Sequence, residues 1–334
     1  DFGSRMEFDE NFIRLSESEV DINGARFSGN GRLEDASKLS MDLYVSTLDL
    51  EKFGLSARST NIQGTMAVNI GIDKDRAITG ISTRVALQND NYASPEFVGV
   101  SGRIDYSDGL LSIPDSLTIN FGLGTVQAHG EVDLDRKKTD LVLVLQETDL
   151  PVAASFAGIE GSPEGLAYGT VQLSGFLDDP SLKGNVTINK GSYGKVAVSS
   201  LKSNFMINSI FKTRHGSLTA TAENTIIGDL NVDGGSLNLY FMGDTILIAN
   251  ADVTSGDEVL RLSGKIVDFE SLQIDQVQSS LKQQFVSSLA PFTVRLHEES
   301  LKIGPAQFRI NDGSLDTELE FAGGLLKNGE FKMV

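Results

Sequence analysis

The stretch VQLSGFLDDPSLKGNVTINKGSYG, residues 171–194, shows the pattern on which this chain is built. Val171 and Leu173 alternate with polar residues, an Asp-Asp-Pro turn follows, and a second alternating run contains Val186 and Ile188. Successive side chains of a β-strand point to opposite faces of the sheet. Each run therefore predicts a strand with one apolar and one polar face.

The same alternation recurs along most of the chain, and glycines or Asn/Asp pairs separate the runs as turn signals. It appears in SLTINF (116–121), VQAHGEVDL (126–134), SLNLYF (236–241), TILIANADV (245–253), LRLSGKIV (260–267), LKIGPAQFRI (301–310) and LDTELEF (315–321). MDLYVSTLDLEKF (41–53) also resembles LVLVLQETDLPVAASF (141–156), which indicates weak internal repetition and a stacked, elongated architecture. The pattern predicts a mainly β protein with one or two short helices.

Two segments favour a helix. PVAASFAGIEG (151–161) follows Leu141–Leu145, a run that is apolar at every position, and we expect this helix to cover one face of that strand. In SLQIDQVQSSLKQQFVSSLA (271–290), apolar residues recur at three- and four-residue spacing before a proline. That spacing predicts a helix over 271–290 that caps one side of a sheet.

The charge balance excludes one class of partner. The chain has 334 residues, with 46 acidic and 28 basic side chains and a net charge of −18. Such a field repels polyanions, so nucleic-acid binding is not expected. There is no cysteine, which excludes disulfides and thiolate metal sites.

Chemistry-bearing motifs are absent from the sequence. His129, His215 and His297 each stand alone, with no HExxH pair, no GxSxG elbow and no dinucleotide-binding glycine motif around them. We therefore expect no enzyme activity, no cofactor and no bound metal.

One-sided apolar strands must bury their apolar face. The sheet either closes on itself as a sandwich or solenoid, which the composition favours, or leaves an apolar groove. The groove would be lined by paired apolar positions of several strands, and a closed core would use the same residues. These candidates are Val171, Leu173, Val186, Ile188, Leu237, Leu239, Ile246 and Ile248.

The opening stretch resembles the repeat of the TamB branch of the AsmA-like bacterial envelope proteins, GxLxxPxLxGxxxIxxGxY. The preceding residues 148–175, with an Asp-Leu pair, a short helical segment and a glycine-initiated strand, are similar to that family as well. The positions that match the repeat are Gly175, Leu177, Pro180, Leu182, Gly184, Ile188, Gly191 and Tyr193.

The resemblance implies a long, curved β-sheet folded like a taco shell around an apolar groove that holds phospholipid acyl chains. It implies a periplasmic location, an anchor in the inner membrane through an N-terminal helix outside this segment, and movement of lipid between the inner and outer membranes. Some members of the family also work with an Omp85-type barrel in outer-membrane protein assembly, so such a barrel is an expected partner. The alternative is a structural or adhesive β-solenoid of a secreted protein, with a closed core.

The ends of the sequence favour a segment of a longer protein, since it lacks an initiator methionine and stops within a strand-like pattern. Residues 1–8 are interpreted as a cloning remnant or a disordered start. Residues 9–334 contain no convincing linker, and we expect one continuous repeat-built β domain. No apolar run approaches the roughly 20 residues needed to span a bilayer.

Overall fold

The computed structural model describes residues 2–9, 11–53, 60–89, 97–156, 163–228, 230–267, 271–281, 284–297, 300–322 and 325–333. Its described strands form a 23-stranded antiparallel sheet, which confirms the predicted all-β class. The chain divides into two compact units, Asp1–Asp178 and Asp179–Val334. One continuous domain over 9–334 stays a prediction.

In the first unit, strands that follow one another in the sequence pair with each other as antiparallel neighbours. Two short helical segments interrupt the order: a 3₁₀ turn at Leu50–Phe53 and the helix α1 at Leu150–Phe156. The strands are β1 Phe2–Phe8, β2 Phe12–Ile22, β3 Ala25–Glu34, β4 Lys38–Leu48, β5 Ile62–Ile72, β6 Ile78–Asn89, β7 Phe97–Ser107, β8 Leu110–Phe121, β9 Gly124–Asp133, β10 Lys138–Asp149 and β11 Glu164–Phe176.

The connections of the first unit differ between the two ends of its strands. At one end, turns at 35–37, 73–77, 108–109 and 134–137 join neighbouring strands. At the other end lie the longer connections 49–61, 90–96 and 150–163, of which the first and third contain the 3₁₀ turn and α1. Both helical segments that the structure describes in this unit therefore lie at the same end of its strands.

The second unit continues the meander with strands of its own. They are β12 Asp179–Tyr193, β13 Val196–Asn208, β14 His215–Ile227, β15 Leu230–Met242, β16 Thr245–Ser255, β17 Glu258–Val267, β18 Ser271–Leu281, β19 Gln284–Ser288, β20 Phe292–His297, β21 Ser300–Ile310, β22 Gly313–Ala322 and β23 Leu325–Met333. Both β19 and β20 pair with β18 on one side and with β21 on the other. Together they occupy one strand position, which is interrupted at 289–291.

The predicted helix over 271–290 is wrong, because this segment forms β18 and β19 in the described residues, with 282–283 outside them. Ile274 and Val277 are three residues apart, yet both belong to one face, because Asp275 is an extra residue in the pairing of β18 with β17. A β-bulge that adds one residue makes a strand imitate helical spacing. Phe285 and Leu289, which extended the pattern, are largely exposed.

The helix predicted within 151–161 is confirmed for α1, and residues 157–161 lie outside the described part of the chain. The internal resemblance between 41–53 and 141–156 is also reflected in the structure, since each segment is a strand followed by a helical turn. Of residues 1–8, interpreted from the sequence as a cloning remnant or a disordered start, Phe2–Phe8 form β1 and pair with β2. Among the described helices, none has the length and apolar character that a bilayer crossing requires.

Candidate functional site

The first unit has one apolar sheet face. Residues directly opposite each other on antiparallel strands project to the same side. On this basis Val171 and Leu173 share a side with Leu143 and Leu141, which lie opposite them on β10. Leu143 in turn lies opposite Ala128 on β9. The same alignment extends through the unit, and the apolar face of the first unit is defined by Leu39, Met41, Leu43, Val45, Val68, Ile70, Val85, Leu87, Val100, Leu117, Ile119, Val126, Ala128, Leu141, Leu143, Leu145, Val171 and Leu173.

One line of directly opposed residues crosses the apolar face of the first unit at the end where the helical segments lie. It contains apolar side chains or glycine on every strand from β4 to β10. The line runs Val45, Gly64, Leu87, Val100, Ile119, Val126 and Leu145. An apolar surface that continues without a polar break across neighbouring strands can receive a ligand longer than one side chain.

Helix α1 packs on this line. Val152 of α1 forms one buried cluster with Ile62 of β5 and Val126 of β9, and Leu143 and Leu145 pack against it. On a flat sheet, β5 and β9 would be about 19 Å apart, because neighbouring strands are separated by ~4.8 Å. Leu87, Val100 and Ile119, on the intervening strands β6, β7 and β8, also pack against this cluster, so the cluster extends across the apolar face from β5 to β9.

The opposite face of the first unit is polar. Gln172, between Val171 and Leu173, donates a hydrogen bond from Nε2 to Asp140 Oδ1 at 2.9 Å. Further along this face, Ser40 Oγ donates to Asn69 Oδ1 at 2.9 Å. Val142 and Val144 lie on this polar side, opposite His129 and Gln127 of β9, so the run at 141–145, which is apolar at every position, contributes apolar side chains to both faces.

An ion pair on the polar face lowers the pKa of one carboxyl group. Partial desolvation raises the pKa of Asp105, but a hydrogen bond from Ser82 and the charge and hydrogen bond of Arg103 outweigh it, so the pKa lies below its ordinary value. The Arg103 guanidinium lies 2.8 Å from Asp105 Oδ2. The polar face therefore contains an ion pair within β7 and a cross-strand hydrogen bond from Arg103 Nε to Ser82 Oγ of β6, at 3.1 Å.

The second unit has an apolar face of its own, and it contains the remaining candidates. Ile188 lies opposite Leu201, and Leu239 lies opposite Ile248. The aligned apolar positions run across β12 to β18. One line, apolar except for Ser203, contains Val186, Ser203, Ala220, Leu237, Ala251, Leu262 and Val277. The next contains Gly184, Phe205, Leu218, Leu239, Ile248, Gly264 and Ile274.

Burial is uneven among the candidates. Ile246 and Ile248 are buried, with 9% and 8% of their surface exposed, whereas Val171, Leu173, Val186, Ile188, Leu237 and Leu239 are half-buried. At one strand end of the second unit, four exposed residues lie opposite one another. They are Tyr193, Val196, Ile227 and Leu230, with exposed fractions of 61%, 42%, 44% and 68%.

Sequence reasoning missed several positions of these faces because bulges change the alternation. Thr148, which is only 2% exposed, follows Leu145 on the buried side of β10 after a bulge that contains Glu147 at a φ of 50°. Thr225 of β14 is 7% exposed and its hydroxyl has no hydrogen-bond partner. In β10 the bulge changes the alternation before Thr148, and a threonine such as Thr225 gives no apolar signal in the sequence.

The histidines do not assemble into a site in the described structure. His129 is on β9 of the first unit, and in the second unit His215 begins β14 while His297 ends β20. Over the described residues, no group of three or more His, Asp or Glu side chains is placed to hold a metal ion. The feature that stands out is instead the pair of apolar faces.

No protein-family model, curated protein or solved structure matches this chain.

Proposed function

We propose that this chain is a lipid-binding segment of a TamB/AsmA-like envelope protein, which holds phospholipid acyl chains on its apolar sheet faces and conducts lipid between the inner and outer membranes. Such a protein works in the periplasm, is anchored in the inner membrane through a helix outside this segment, and takes an Omp85-type barrel as a partner.

The observation that supports the proposal most is the alignment of the apolar positions. Val171 continues a line that contains Leu143, Ala128 and Leu117, and Leu173 lies opposite Leu141 in the next line. Val186, Ile188 and Leu237 belong to comparable lines in the second unit. Lines of half-buried aliphatic side chains form a surface on which acyl chains can be removed from water, and this removal alone favours binding. Each methylene removed from water contributes about 0.8 kcal/mol, almost independently of its position.

Uniformity of the lining suits transport better than tight binding at one point. Valine, leucine and isoleucine side chains bury similar apolar area, so an acyl chain that moves from one line to the next loses and gains comparable contacts. The free energy along the face then varies little, and no catalytic residue is needed. The polar face and the net charge of −18 keep the long sheet soluble.

The proposal is tested with adjacent substitutions on opposite faces of β12. Ile188→Asp introduces a carboxylate on the apolar face, where it lies opposite Leu201, whereas Thr187→Asp introduces the same group on the polar face, opposite Lys202. After incubation with phosphatidylethanolamine and removal of free lipid, native mass spectrometry counts the lipid that stays with each protein. We expect less lipid on the Ile188 variant and an unchanged amount on the Thr187 variant.

A closed β-solenoid core gives a different outcome. Purified chain that carries no lipid and takes up none from phosphatidylethanolamine vesicles would contradict the proposal and favour the solenoid. Equal lipid on folded Ile188→Asp and Thr187→Asp proteins would show that Ile188 does not belong to the lining. Far-UV circular dichroism of both variants checks that each still folds.

A further inference from the structure

Helix α1 occupies part of the apolar face of the first unit. Val152 and Ala154 are 8% and 6% exposed, and Val152 belongs to the cluster that includes Val126. Leu145 and Ile119, the neighbours of Val126 in the same line of the face, pack against this cluster. The helix therefore covers the end of the face that lies toward the long connections.

Within the described residues, no helix packs on the other end of the same strands. On β10, Leu141 lies four positions before Leu145, about 13 Å away at the rise of an extended strand. Leu141 is opposite Leu173 of β11. Both are half-buried, as Leu145 and Ile119 also are, but unlike those two residues they lie outside the cluster around Val152. The strands at this end are joined by tight turns at 108–109 and 134–137, which contain no helix.

The covering helix has little stability of its own. Seven residues form α1, LPVAASF, and its second residue is Pro151. Helices this short are marginal in water, and most of their stability comes from packing of their apolar side. Its position thus depends on the contact of Val152 with the sheet, the same apolar surface that an acyl chain would occupy.

We infer that α1 closes one end of the apolar face of the first unit, so that an acyl chain bound there lies on the end near Leu141 and Leu173 and is kept from Leu145 and Ile119. This inference rests on the proposed function. It assigns to α1 the role of a stop that limits how far lipid extends along the strands, and that could be displaced only by breaking the Val152 contact.

The test uses the unchanged chain and a phosphatidylcholine with a photoreactive diazirine in one acyl chain. After illumination, tandem mass spectrometry locates the lipid adducts. We expect adducts at Leu141 and Leu173, and several-fold fewer at Leu145 and Ile119. Val152→Asp should detach α1 and raise the adducts at Leu145 several-fold.

A matched control carries the same new charge at the same end of the sheet. Leu123 is 89% exposed in the turn between β8 and β9, and Leu123→Asp should leave the adduct pattern unchanged. Equal labelling of Leu145 and Leu141 in the unchanged chain would overturn the role of α1 while supporting lipid binding. Absence of adducts on all apolar-face residues would overturn the proposed function and the inference with it.

The outcome does not depend on the folding of one variant. If Val152→Asp loses its β-sheet circular dichroism signal, the adducts at Leu141 and Leu145 of the unchanged chain still show whether α1 limits the position of the lipid. A folded Val152→Asp protein with no gain of labelling at Leu145 would overturn the inference.

Discussion

Asp179 illustrates how single polar residues hold the turns of this sheet in place. Its Oδ1 atom accepts hydrogen bonds from the backbone amides of Phe211 and Lys212 at 3.0 and 3.2 Å, and its Oδ2 atom accepts one from the Ser209 hydroxyl. Partial desolvation raises the pKa of Asp179, but these hydrogen bonds and the Lys212 charge outweigh it, so the pKa lies below its ordinary value. The ionised carboxylate thereby fixes the connection between β13 and β14.

The lowered pKa of Asp179 predicts a pH-dependent contribution to stability. A depressed carboxyl pKa stabilises the fold above the unfolded-state pKa of about 3.9, and this stabilisation is lost as the pH falls through the folded-state value. At pH 7 we expect Asp179→Asn to unfold at lower urea concentration than the unchanged chain, and the difference should shrink below about pH 4. Urea unfolding between pH 7 and pH 3 measures both.

An exposed aspartate in another turn provides the control for this prediction. Asp257→Asn, in the turn between β16 and β17, should change the urea midpoint little at any pH. A midpoint difference for Asp179→Asn that stays constant from pH 7 to pH 3 would contradict the assigned role of the carboxylate.

At the scale of elements, β18 shows that one inserted residue decides how a segment is interpreted. The spacing of Ile274 and Val277 matches a helix, and the sheet accommodates it through the bulge at Asp275. Hydrogen bonding of the bulged strand continues on both sides, and Val277 N donates to Ser288 Oγ at 3.0 Å. Local periodicity could not distinguish the two structures, because the pairing partner on β17 lies outside any local window.

Deletion of the bulged residue tests this interpretation of β18. Without Asp275, Ile274 and Val277 become two positions apart and still share one face, so we expect the free energy of unfolding to change by only about 1 kcal/mol or less. Deletion of Gln273 instead moves Leu272 to the opposite face relative to Ile274, since a shift by one residue exchanges the faces of a strand. That deletion should destabilise by about 2 kcal/mol or more, as urea unfolding will measure.

Two outcomes of the deletion experiment would contradict the role assigned to the bulge. If β18 tolerated removal of Gln273 as well as removal of Asp275, face assignment in this strand would not depend on the bulge. If both deletions lowered the free energy of unfolding equally, Asp275 would contribute to stability by more than its place as the extra residue of the bulge.

At the scale of the whole molecule, each unit carries its own apolar face, and this predicts how lipid capacity divides. Leu173→Asp changes the face of the first unit, and Ile188→Asp changes that of the second. We expect each single variant to retain part of the bound phosphatidylethanolamine, because the apolar face of the other unit is unchanged, and the double variant to retain almost none. Native mass spectrometry of the four proteins gives the lipid count per chain.

Aspartate substitutions on the polar face show whether loss of lipid results from the added charge itself or from its position on the apolar face. Thr170→Asp, opposite Val144 on the polar side of β11, combined with Thr187→Asp should leave the lipid count unchanged. Loss of all lipid in either apolar-face single variant would contradict independent binding by the two units.

The sequence by itself determined the strand content and the two-faced character of the strands. Val171 with Leu173, and Val186 with Ile188, are each separated by one residue, and that local spacing is enough to place both members of a pair on one side of a strand. The short helix after Leu145 was also predictable, because an Asp-Leu pair and a run of small residues are local signals. The lipid role of the eight candidate positions stays a prediction.

Only the tertiary structure decided the register that joins these pairs into continuous faces. Leu143 meets Val171 and Ala128 through hydrogen bonds between strands, and those partners are set by packing over long sequence distances rather than by local preference. Long-range packing also decides the bulges that bring Thr148 and Val277 to the buried side, and the packing of α1 against Ile62 and Val126. Alternation determines on which side of its strand a residue lies. Pairing across strands determines which residues of neighbouring strands lie beside it and so whether that side forms a continuous apolar face.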